Sequence, residues 1–304
     1  MINWIGLLKQ WCGLSAQSRL YIVTDSVQRP IAQEISEQFG NRCTVAAFSP
    51  SGDVMKAVQS LSGQDVLMIL LTSDTFVKGG ANRWFSPFAR PADTAAKYVF
   101  IRLDISRDSL LEGLSTPKEQ VYAKIREMDR FPSGTPLSVK GPGGTDITLE
   151  IQAFQTCSHE IDDAHSYAFL PPSETSAEVV PHTANGKIAV DVTIGQLYSY
   201  GELLGRFGLV PKPVTFLVEK GMVTDIYGGP MADECKQKLF ALPAACREVV
   251  ELGQGLSRLT PTGLIGVDES MIDTCHFGFG RAETCGVHLD VVVSHPSIVP
   301  VSPF

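Results

Sequence analysis

Residues 19–40 read RLYIVTDSVQRPIAQEISEQFG, and this stretch decides the first half of the fold. An apolar run ends at Asp25 and a helical-looking segment follows. The same alternation continues with CTVAAFS (43–49), a helical GDVMKAVQSL (52–61), DVLMILLTS (65–73) and KYVFIRLD (97–104). Near-continuous apolar strands separated by helices are the βαβ pattern of a parallel sheet covered on both faces. The expected unit is an α/β, Rossmann-like domain over residues 1–135. It contains neither GxGxxG nor GxxxxGK[ST], so no nucleotide-binding motif accompanies the architecture. Asp25, at the end of the first strand, stands where such sheets bind ligands, or it caps the turn into the helix.

The pattern changes at RFPSGTPLSVKGPGGTDITLEIQAF (130–154), where Pro and Gly cluster and alternating strands begin. GTDITLEI (144–151), KIAVDVTI (187–194) and VTFLVEKGMVTDIYGG (214–229) read as strands, with EKGMV as a hairpin turn. GGPMADECKQKLFAL (228–242) reads as a helix beginning near its proline. Residues 136–304 are therefore expected to form an α+β domain, and this half holds every histidine: 159, 165, 182, 276, 288 and 295.

With 304 residues, 44% of them hydrophobic and 19% charged, the chain is long enough for two cores. A formal charge of −8 and no basic stripe argue against nucleic acid as a partner. No run is long enough to span a bilayer, and the opening MINWIGLLKQWCGL lacks the basic start and cleavage site of an export signal. Seven cysteines, with no CxxC pair, suggest neither a disulfide framework nor a structural zinc site. The expected location is the cytoplasm.

The residues that bear chemistry lie near the C-terminus. In GVHLDVVV (286–293), His288 and Asp290 are two apart, so an extended strand puts them on one side. An ionised aspartate leading into a core strand needs a cation or several donors, and a neutral imidazole supplies no positive charge. A bound metal answers that need. His276 in CHFGFG, with two glycines clearing space around it, is a second donor. His276, His288 and Asp290 thus form a candidate two-histidine, one-carboxylate site. Cys275 and Cys285 flank the region but read as small buried hydrophobes.

GGTDITLEI, PPSE (171–174) with VVPHTANGKIAVD (179–191), ELGQGL (251–256), DES (268–270) followed by HFGFGRA (276–282), and VHLDVVV (287–293) occur in an order and spacing that resemble the aminopeptidase T/S family of metallo-aminopeptidases. The resemblance extends to its relatives among non-haem iron enzymes of the 2,5-dihydroxypyridine 5,6-dioxygenase type. It implies that His276, His288 and Asp290 bind metal, and that two glutamates help hold a second cation. One corresponds to Glu251; the other is Glu174, or Glu178 in a shorter register, with Glu174 preferred. It also implies a homodimer.

Two departures bear on activity. Glu283 replaces a tyrosine that the aminopeptidases place seven residues after the first metal-binding histidine, and the interval from His276 to His288 is short. MVTDIYGGPMADECKQKL and NGKIAVDVTI look closer to the dioxygenase side. The first expectation is therefore a mononuclear Fe(II) dioxygenase-like enzyme acting on a small aromatic or heteroaromatic compound, with His182 as an acid or base. The second is a two-metal aminopeptidase using Glu174 and Glu251, with Zn, Co or Mn in place of iron. The third is a noncatalytic protein that binds a short peptide or small molecule on the same fold.

Overall fold

Every residue of the strand Val66–Leu70 is buried, as a strand at the centre of a doubly covered sheet must be. The structure is a computed structural model that describes residues 2–49, 53–162, 165–199 and 202–301. The chain divides into two units: residues 1–116 with 157–173, and residues 117–156 with 174–304. The boundary expected near residue 135 thus lies earlier, after Thr116, and the first unit takes back a second segment.

The first unit is a five-stranded sheet in the order Cys43–Ala47, Leu20–Thr24, Val66–Leu70, Lys97–Ile101 and Tyr167–Leu170. All of its neighbours pair in parallel. Helices Arg29–Phe39, Asp53–Gln59 and Arg107–Leu114 connect or flank these strands. Tyr167–Leu170 was not legible because YAFL is only four residues long and follows the polar CSHEIDDAHS (157–166). Asp25 is a turn organiser here. Its Oδ1 accepts from the backbone N–H groups of Val27 and Gln28, and its Oδ2 from the N–H and hydroxyl of Thr72.

The second unit holds two antiparallel sheets. One has six strands in the order Met222–Gly228, Val214–Glu219, Asn185–Val190, Asp146–Ile151, Thr135–Lys140 and Ser297–Pro300. The other has seven: Glu202–Leu209, Thr193–Ser199, Leu289–Ser294, Thr274–Phe279, Val249–Gly255, Glu174–Glu178 and Gln155–Thr156. Expected as one strand, KIAVDVTI instead changes sheet at Asp191, whose carboxylate accepts from the N–H and hydroxyl of Ser294. The EKGMV hairpin forms as read, with Lys220 and Gly221 both at positive φ, the conformation of a tight two-residue turn.

Period-two alternation gives the seven-stranded sheet two different faces. Leu252, Cys275, Phe277, Phe279, Leu289, Val291 and Val293 belong to one buried core with Ile147, Leu149, Ile188, Val190 and Phe216 of the other sheet. Phe279 stacks on Phe216 with centroids 5.1 Å apart. Burying each such aromatic or aliphatic side chain stabilises the unit by about 1.5–3 kcal/mol, which fixes the register. The opposite face then has to carry Glu251, Gly253, His276, Gly278 and Asp290. None of the seven cysteines is in a disulfide, and among the described residues no helix is long and apolar enough to cross a membrane. The fold is mixed α/β with several sheets.

Candidate metal centre

Register brings the donors together. Glu251 lies opposite Gly278, and Gly278 opposite Asp290, so these three form one row across three strands. In the next row on the same face, Gly253 lies opposite His276. A Cβ on Gly253 would come within 2.0 Å of the His276 ring. One on Gly278 would sit 2.8 Å from His288, 3.0 Å from Glu251 and 3.1 Å from Asp290. The two glycines therefore leave room for the imidazoles to lie over neighbouring strands.

His288 stands just before the strand Leu289–Ser294 and shares a side with Asp290, as their spacing implied. Its Nε2 is 3.0 Å from Asp290 Oδ1 and 3.4 Å from Glu251 Oε2. Its Nδ1–H donates to the Gly280 carbonyl at 2.9 Å. That bond fixes the tautomer, so in neutral His288 the Nε2 lone pair faces two carboxylates. Only a proton or a metal ion at that point turns the convergence into attraction. His276, 2% exposed, aims Nε2 at Glu174 Oε2, 3.1 Å away, and at Glu251 Oε1, 3.9 Å away.

Glu251 is thus shared by two groups, Glu174 with His276 on one side and His288 with Asp290 on the other. Single donor atoms of Glu251, His288 and Asp290 all lie within 4.8 Å of one another. The compact triad therefore contains Glu251 where the sequence placed His276. Glu174 rather than Glu178 is the glutamate that reaches an imidazole; Glu178 pairs with Arg281 at 3.2 Å.

The electrostatics follow from this geometry. Burial opposes charge on His276, but Glu174 and Glu251 override it and push its pKa up to about 10. The charge of Asp290, working against burial, pushes His288 up to about 12. Burial also opposes ionisation of Glu251, yet the imidazoles of His276 and His288 hold its carboxyl far below the usual range. Glu269 adds a further negative charge felt by His276, and the Ser176 hydroxyl helps to lower the pKa of Glu251. Neither was singled out as a functional residue from sequence, although Glu269 belongs to the DES segment and Ser176 is two residues from Glu174, on the same side of its strand.

Carboxylate oxygens of Glu174, Glu251 and Asp290 lie 3.0–3.9 Å from the two imidazoles. Asp290 Oδ1 and His276 Nδ1 are buried without a hydrogen-bond partner among the described residues. Oxygen and imidazole donors, two of them buried and unpartnered, and a space kept clear by glycines fit a divalent metal ion.

Two expected site residues stand differently. His182 is exposed in a turn, at φ +66°, against Gly221, and no contact joins it to the cluster among the described residues. The side chain of Glu283 lies outside the described residues.

No known family model matches the chain, and no curated protein matches its sequence. Solved structures do match it. The 2,5-dihydroxypyridine dioxygenase of Pseudomonas putida KT2440 aligns over 99% of this chain and 96% of its own, with a TM-score of 0.59 and 15% identity. Wild-type AmpT from Thermus thermophilus aligns over 98% and 94%, with a TM-score of 0.58 and 12% identity. The chain has the fold that both share. Both are proteins of the kinds that the order of segments in the sequence resembled, and at these identities the likeness concerns fold alone.

Proposed function

We propose that this chain is a metal-dependent hydrolase with two divalent cations, releasing the N-terminal residue of a short peptide. One observation carries the reading: Glu251 directs one carboxylate oxygen toward each of two imidazoles that are each backed by a further carboxylate. A shared carboxylate between two donor groups is what a two-metal site requires.

Glu174 and His276 would hold one cation, His288 and Asp290 the other, and Glu251 both. When bound, such ions polarise a peptide carbonyl and lower the pKa of water. The protein's own part is to orient them. Gly280 fixes the His288 tautomer, and the glycine rows leave room for the rings. No reaction role is assigned to His182, which stands exposed in its turn.

A mononuclear iron dioxygenase acting on a small aromatic or heteroaromatic compound is the second reading, favoured by the compact Glu251, His288 and Asp290 group and by the dioxygenase of like fold. In it, bound Fe(II) would supply the redox chemistry for ring cleavage by dioxygen. Elemental analysis of anaerobically purified protein separates the two. The expected result is two zinc, cobalt or manganese ions per chain, with Glu251→Gln losing both metal and aminoacyl-anilide hydrolysis. One iron per chain, with oxygen uptake dependent on an aromatic substrate, would replace it with the second reading. A metal-free chain that stays so after reconstitution would leave a binding protein.

A further inference from the structure

The ion pair between Arg281 and Glu178 belongs to the rim of this site. Glu178 stands directly opposite Glu251 on the neighbouring strand, and like charges opposite one another on a sheet repel. Arg281 Nη1 reaches Glu178 Oε2 at 3.2 Å. Arg281 immediately follows Gly280, whose carbonyl fixes His288.

We infer that Arg281 is a specificity residue that takes the free C-terminal carboxylate of a dipeptide, an inference that rests on the peptidase reading above. Opposed residues of an antiparallel pair have Cα atoms about 4.5–5.5 Å apart, so Glu178, the partner of Arg281, stands one strand spacing from Glu251. An extended dipeptide spans about 7 Å. A peptide held by its first residue at the cluster therefore carries its terminal carboxylate toward Arg281, where the planar fork accepts it in two parallel hydrogen bonds. Glu178 gives way readily. Its side chain is 68% exposed and that of Arg281 29%, so water solvates the displaced carboxylate while the arginine keeps its sheltered position. In this picture Glu178 neutralises Arg281 until a substrate carboxylate replaces it.

The test is calorimetric binding of a non-hydrolysable leucyl-glycine analogue, with a reduced peptide bond, against its C-terminal amide. It uses the full chain after metal content has been measured. The expected preference for the carboxylate is about tenfold or more, the scale of one charged hydrogen-bonded pair. Arg281→Gln should bring the ratio to about one with metal content intact, and Glu178→Gln should keep or raise it. Arg281→Lys, which retains the charge without the fork, should fall between and carries the test if the glutamine variant loses metal. A metal-loaded wild type without preference, or an Arg281→Gln variant that retains it, overturns the inference alone. Equally tight binding of an analogue bearing its carboxylate on an aspartyl side chain would overturn the terminal-carboxylate form. Failure of the peptidase reading shows separately, as a single iron or no metal per chain before any peptide is added, and takes this inference with it.

Discussion

Asp25, just past the end of the strand Leu20–Thr24, and Asp290, within the strand Leu289–Ser294, are both carboxylates, and their surroundings are opposite. Asp25 accepts from three backbone N–H groups and a hydroxyl. Asp268, fully buried, is treated in the same way by Thr262, Gly263 and Thr193. Asp290 instead faces an imidazole whose other nitrogen is already committed, with Glu251 on the far side of that imidazole's Nε2. Neutral donors make a buried carboxylate a structural part of its turn. Carboxylates gathered around imidazoles without such donors make a site that needs a cation. The residue type is the same in both places, so the difference lies in the partners.

Replacing each aspartate should separate these roles. Asp290→Asn should weaken metal binding by roughly a hundredfold or more, beyond the 10–100-fold typical of groups that only support a ligand, and in the metal-free chain it should lower the His288 pKa, because the Asp290 charge is what raises it. Titration with a metal indicator and an NMR titration of the imidazoles in chelator read the two effects. Metal affinity close to that of wild type would make Asp290 an ordinary structural carboxylate. Asp25→Ala should do the reverse, leaving metal content unchanged and costing about 1–3 kcal/mol for the donors left unpaired. Gly253→Ala is comparable in stability, about 1–3 kcal/mol for forcing a methyl against the His276 ring, but it should also lower metal occupancy. A Gly253→Ala protein with full metal would show that the row of glycines does not position His276.

The sequence disclosed as much of this as local physics could carry. His288 and Asp290 were legible because strand periodicity alone puts them on one side, and their 3.0 Å approach follows from it. The parallel sheet was legible from its fully apolar strands. Glu174 and Glu251 came only through resemblance, since each by itself looks like a surface carboxylate. Register unites them: Glu174 stands opposite Gly255, two residues beyond the Gly253 that faces His276, and no pattern within one segment reveals a pairing between segments far apart in the chain. The return of Tyr167–Leu170 to the first unit was hidden for the same reason. His182 misled because a histidine in a turn reads identically whether it faces a substrate or solvent.

The last and smallest expected effects concern pH, and they carry opposite signs in the two regions. In the metal-free chain, His276 and His288 have folded pKa values raised above 6.5, to about 10 and about 12. They bind protons more tightly folded than unfolded. Their contribution is therefore complete below 6.5 and is lost as pH rises through about 10 and beyond. Metal reverses that slope, because ligands must shed their protons to bind it, so the loaded protein gains stability over the same rise. The carboxyl of Asp25, by contrast, is lowered below 3.8: burial works against its charge, but donors from Thr72 and Gln28 prevail. Its contribution is present above 3.8 and lost as pH falls through the lower folded value. Melting curves of wild type, His288→Ala and Asp25→Asn in chelator should show the alkaline limb flattened by the first substitution, which also moves the acid limb by releasing Glu251, and only the acid limb shifted slightly by the second. If Asp25→Asn changed the alkaline limb as well, the two regions would not be independent, and the contrast between a carboxylate satisfied by its own turn and one waiting for a cation would fail.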